Sequence, residues 1–80
     1  MSKAVQIADR ITINPDICNG EPTIRGLRIT VKTILDYLSQ GDSTAEILNQ
    51  YPSLSADDIL AAIKYAADLV ERTSIKTYAA

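Results

Sequence analysis

The chain has 80 residues, of which 46% are hydrophobic and 22% charged, with no histidine, no tryptophan and one cysteine. That length builds one domain that buries only about 60% of its unfolded surface, so a homodimer, a higher oligomer or another partner is expected on energetic grounds. The net charge of −2 argues against a strongly cationic nucleic-acid coat, and the absence of any apolar run of about 18 residues excludes a membrane-spanning helix.

Charge is unevenly spread. Residues 1–32 carry five basic and three acidic side chains, and residues 33–80 carry three basic and seven acidic, so the two parts are +2 and −4 and present different surfaces. The opening MSKAVQIADR lacks the apolar core of a signal peptide, and a single cysteine forms no internal disulfide, so a cytoplasmic location is expected.

In chain order, Ile11–Ile13 alternates ahead of the turn signal Asn14-Pro15-Asp16 and predicts a short strand. Thr23–Arg25 predicts a second, the two forming a β arm or hairpin around an irregular connection through Cys18, Asn19 and Gly20. Val31, Ile34, Leu35 and Leu38 share a helical face, and Gly41 stands where a helix C-terminus favours glycine. Ser43 followed three residues on by Glu46 has the form of a capping box, predicting a second helix over Thr44–Gln50 that Pro52 stops. Ser55 and Asp58 repeat the device for a third helix, with the stripe Ile59, Ile63, Ala66 and Val70, widened by Leu60 and Ala67, extending to about Arg72. The segments are therefore an arm over 1–30, three helices over 31–72 and a short tail over 73–80, in one domain overall. The spacing of the last two helices is that of a helix-turn-helix unit.

Asn14-Pro15, Ile17-Cys18, Gly20, Pro22, Ile24, Gly26, Arg28-Ile29 and Val31, followed by Gly41, Tyr51-Pro52 and Leu54, resemble the prokaryotic family called domain of unknown function 433. The resemblance covers about residues 10–72. It implies a mainly α fold in which a short N-terminal β arm precedes a three-helix, homeodomain-like helix-turn-helix. It also implies an antitoxin that neutralises a PIN-like ribonuclease toxin by direct binding and that autoregulates its operon through DNA. Asn19, Glu21 and Leu27 depart from the commoner pattern, and Glu21 removes a positive charge from the segment expected to meet phosphate.

The candidate DNA contacts are Arg25, Arg28, Lys32 and Lys64, because guanidinium and ammonium groups grip phosphate. A structural alternative has Arg28 tying the arm to Asp36 or Asp58. Asp57 and Asp58 at the start of the third helix suit its dipole but oppose the phosphate field, which disfavours base reading there. Ile75 and Tyr78 are the candidate toxin contacts. Cys18, with no histidine or second cysteine, reads as a small buried filler. No catalytic residue, metal site or cofactor is expected, since the commonest general base is absent and no phosphate loop or dinucleotide fingerprint occurs. The alternatives to an antitoxin are a stand-alone DNA-binding regulator and a structural dimerisation module.

Overall fold

The computed structural model describes residues 3–73. Three strands, β1 (Val5–Ala8), β2 (Ile11–Ile13) and β3 (Thr23–Ile24), form an antiparallel sheet in the order β1-β2-β3. Three helices follow, α1 (Val31–Ser39), α2 (Thr44–Gln50) and α3 (Ala56–Thr73). The fold is mainly α with an N-terminal β arm, as the sequence implies.

The arm has one strand more than the sequence reading foresees. Val5 pairs with Ile13, Gln6 with Thr12 and Ala8 with Ile11, with a bulge between Gln6 and Ala8. In the second ladder Ile11 faces Ile24 and Thr12 faces Thr23. The expected strand over Thr23–Arg25 stops one residue early, because Arg25 turns into the left-handed region at φ 48°. Its amide donates to the Arg10 carbonyl at 2.9 Å, tying the end of β3 to the β1–β2 turn. Between β2 and β3, Cys18–Gly20 form a single 3-10 turn. Cys18 sits in it at φ 50° and is half-buried. The buried filler expected there is thus corrected to a half-buried residue, held in the turn by its backbone, with the Glu21 amide donating to the Cys18 carbonyl.

Each helix begins on a side-chain cap, which satisfies amides that have no partner inside the helix. Thr30 Oγ1 accepts from the Thr33 amide at 3.0 Å at the start of α1. At α2 the Glu46 amide donates to Ser43 Oγ and the Ser43 amide donates to Glu46 Oε1 at 2.8 Å, the complete capping box. At α3 the Asp58 amide donates to Ser55 Oγ at 3.4 Å, and Asp58 Oδ2 accepts from the Ser55 amide at 2.9 Å. Gly41 leaves α1 at φ 97°, a conformation cheap only for glycine. Tyr37 and Tyr51 meet edge to face with ring centroids 5.9 Å apart, seating the end of α2 against α1.

One core joins the two layers. Ile11 and Ile24 from the sheet are buried with Val31, Ile34, Ile47, Leu54, Ile59 and Ala62 from the helical part. The arm is therefore built into the core and is no appendage. No helix among the described residues is long and apolar enough to cross a membrane.

Ile34 lies at the centre, with none of its surface exposed. Ile34→Ala is expected to cost about 2–5 kcal/mol, seen as a lower urea midpoint with an unchanged slope.

Candidate functional site

The most chemically distinctive place in the molecule is the joint between the arm and α3. Asp58, in the first turn of α3, is completely buried. A buried carboxylate is costly unless paired and hydrogen-bonded on all sides, and here it is. Arg25 reaches it side-on, with Nε on Oδ1 and Nη2 on Oδ2, both at 3.0 Å. Arg10 Nη1 donates to Oδ1 at 3.0 Å, and the Ser55 amide supplies the fourth bond. Arg25 also donates to the Ser53 carbonyl at 2.9 Å, which binds the turn before α3 to the arm.

Burial by itself pushes the Asp58 carboxyl up. The hydrogen bond from Arg25, that from the Ser55 backbone, the one from Arg10 and the charge of Arg25 together outweigh it and leave the group lowered from 3.8 to about 2. The cost of this clamp appears in the backbone. Arg10 and Arg25 both adopt positive φ, at 63° and 48°, a conformation that disfavours non-glycine residues by about 1–3 kcal/mol each.

These contacts revise the charge assignment read from sequence. Arg25, expected to be presented outward, is the residue that anchors the arm, and Arg28, whose structural alternative was to tie the arm to Asp36 or Asp58, is exposed and has no ion pair among the described residues. The reason is backbone direction: the left-handed residue Arg25 turns the chain toward α3, three residues before Arg28. Asp58 likewise does not add to a solvent-facing acidic helix start, because two guanidinium groups neutralise it; Asp57 remains exposed, 3.7 Å from Arg10.

Lys32 pairs with Asp36 at 2.7 Å and Lys64 with Asp68 at 3.0 Å, each four residues along its own helix. The two lysines line different grooves. Lys64 borders an open groove of about 650 Å³ between Ile7–Arg10 and α3, and Lys32 borders one of about 290 Å³ with Pro22, Leu35 and Leu69. The four cations thus form no single patch. Ile75 and Tyr78 lie outside the described residues.

A second feature is the outer face of α3. Its buried side chains, Asp58, Ile59 and Ala62, all fall in its first seven residues. Leu60 and Ile63 are 63% and 44% exposed, and Ala67 and Val70 continue the same stripe at the surface. Spacings of three, four and three residues place them on one helical face. The sequence reading gave Ile63 and Val70 to the inward stripe; the apolar side chains that α3 turns inward are Ile59 and Ala62, both buried, with Ala61, Tyr65 and Ala66 half-buried beside them. Arg10, which the sequence places near the Arg25 and Arg28 cluster only through the arm, was not recognised as a partner of Asp58. Its place after Asp9 lies in a turn not recognised because β1 was not.

The family model described as "Protein of unknown function (DUF433)" matches residues 11–66. The chain is similar to the uncharacterized protein y4eO of Sinorhizobium fredii, at 38% identity over 56 residues, covering 70% of this chain and 25% of that protein. It is also similar to the crystal structure of a DUF433 member protein from Anabaena variabilis, with TM-score 0.72, 40% sequence identity, and coverage of 79% of this chain and 62% of the other. The chain thus spans a quarter of the curated relative and less than two thirds of the solved one.

Two outcomes are expected at the clamp. Asp58→Ala leaves two guanidinium groups facing a buried void and removes the bond that the Ser55 amide makes to the carboxylate, and should cost about 3–5 kcal/mol, much of the stability of a domain this size. The pH dependence has a definite sign. Because the folded-state pKa of about 2 lies below the ordinary 3.8, the clamp's contribution is complete above 3.8 and is lost as pH falls from there toward 2. About 2 kcal/mol should disappear across that window in acid titrations of wild type, and not in Asp58→Asn.

Proposed function

The chain belongs to the DUF433 family, and from that premise we propose that it is an antitoxin, a binding protein without catalysis of its own that neutralises a PIN-like ribonuclease toxin by direct contact. The observation that carries this reading is the apolar stripe Leu60, Ile63, Ala67 and Val70 on the outer face of α3. An apolar helix face of this kind seats in a complementary groove of another protein, with residues three, four and seven apart as anchors. The distribution of charge supports the same preference. Arg10, Arg25, Lys32 and Lys64 are each engaged with carboxylates of the chain itself, so little cationic surface remains to supply the phosphate contacts on which DNA affinity depends.

A second activity, autoregulation through DNA, has one specific observation in its favour. Arg28 is exposed beside α1 and has no ion pair among the described residues, and α2 and α3 follow one another with the spacing of a helix-turn-helix. On this reading the arm and Arg28 meet the backbone while α3 serves the toxin.

The reading expects a nuclease gene beside this one, and co-expression with its product tests it. Wild-type protein should restore growth, and Leu60→Glu with Ile63→Glu should weaken the complex about 30-fold or more while the far-ultraviolet spectrum stays helical. A verified neighbouring nuclease that remains fully toxic beside the wild-type chain would sink the proposal. For the second activity, Arg28→Ala should weaken binding to upstream DNA and lower the salt slope by about one; Arg25→Ala, by contrast, should act mainly by unfolding the protein.

A further inference from the structure

The apolar stripe of α3 has a charged margin, and that margin restricts what the stripe can meet. Leu60 and Ile63 are 63% and 44% exposed, and Ala67 continues their face. Asp57, Lys64, Asp68 and Glu71 follow one another at spacings of seven, four and three residues. At about 100° per residue they form a row along one side of the stripe. On the other side stand Ile59 and Ala66, which carry no charge.

The row is acidic, with three carboxylates against one ammonium. Lys64 is held by Asp68 at 3.0 Å, which leaves Asp57 and Glu71 as the charges open to a partner. Asp57 is 72% exposed and only loosely approached by Arg10, at 3.7 Å. Glu71 is exposed and has no ion pair among the described residues. Arg10 and Arg25 are committed to the buried Asp58. Arg72 stands about 100° round the helix from Glu71, away from the stripe.

Resting on the reading that the partner is a ribonuclease, we propose that α3 seats in the groove where that enzyme holds RNA. The stripe lies on an apolar floor, and the acidic row lies along the basic wall that grips phosphate. A ribonuclease needs such a wall, because neutralising phosphates supplies the sequence-independent part of nucleic-acid affinity. The same charges argue against other seats. A neutral groove would take Asp57 and Glu71 out of water with no counter-charge, an acidic one would repel them, and a nucleic acid would meet them with phosphate. Neutralisation is then exclusion of substrate, since one wall cannot hold α3 and RNA together.

Competition between the full chain and a fluorescent, cleavage-resistant oligoribonucleotide for the purified neighbouring nuclease tests this. The wild-type chain should displace the RNA, and excess RNA should displace the chain. Glu71→Lys should weaken the protein complex about tenfold at low salt, Asp57→Lys with Glu71→Lys should weaken it further, and the gap should close as salt rises. Glu71 lies in the last turn of α3, where a lysine suits the helix dipole. The single variant should therefore melt no lower than wild type, which separates lost affinity from lost fold. A chain that does not bind the nuclease at all removes the antitoxin reading and this inference together. One that binds and protects while the RNA stays in place, or whose affinity is unmoved or raised by Glu71→Lys, would overturn the inference alone.

Discussion

A single carboxylate placed out of water governs this molecule. Removing Asp58 from solvent is tolerable only because two guanidinium groups and a backbone amide surround it, and that requirement reaches back through the whole arm. Arg10 must stand at the end of the β1–β2 turn and Arg25 immediately after β3, and both must accept left-handed backbone to point at the same acid. The Arg25 amide bonded to the Arg10 carbonyl holds the two turns in step. Replacing such a group by an apolar one is often energetically neutral or better. What the ion pair supplies in addition is direction: an apolar joint would allow the sheet to slide on the helices, whereas a bidentate pair admits one orientation.

The clamp also decides what is left for partners. With Arg10 and Arg25 drawn inward and Lys32 and Lys64 held by carboxylates one helical turn away, much of the positive charge of the first 32 residues is already matched within the chain. Among the described residues, exposed large apolar side chains stand on two surfaces. One is α3, chiefly its outer face, and the other is β1. A helix face selects a groove by side-chain shape. A small domain with a thin margin of stability gains from covering either.

The helices were legible because their signals are local. A serine three residues ahead of a carboxylate caps a helix through contacts that close within one turn, so Ser43 with Glu46 and Ser55 with Asp58 could be recognised from spacing alone. The first strand was not legible. Its outer side faces no other described strand, so Lys3–Asp9 carries too little apolar periodicity to stand out. The inward face of α3 was partly misread, since Ile59, Ala62 and Ala66 on one side and Leu60, Ile63, Ala67 and Val70 on the other offer two apolar stripes and spacing does not say which one meets the core.

By itself the sequence determined the mainly α fold, the helix boundaries, the arm ahead of them and the family, because each rests on neighbours in the chain or on an ordered run of special residues. Only the tertiary structure decided which arginine anchors and which faces solvent. Asp58 bonds to residues 48 and 33 positions away, and no local rule distinguishes Arg25 from Arg28 until the backbone turns at Arg25. A burial decision of that kind belongs to the fold as a whole, since the energy of a buried charge depends on every group brought around it.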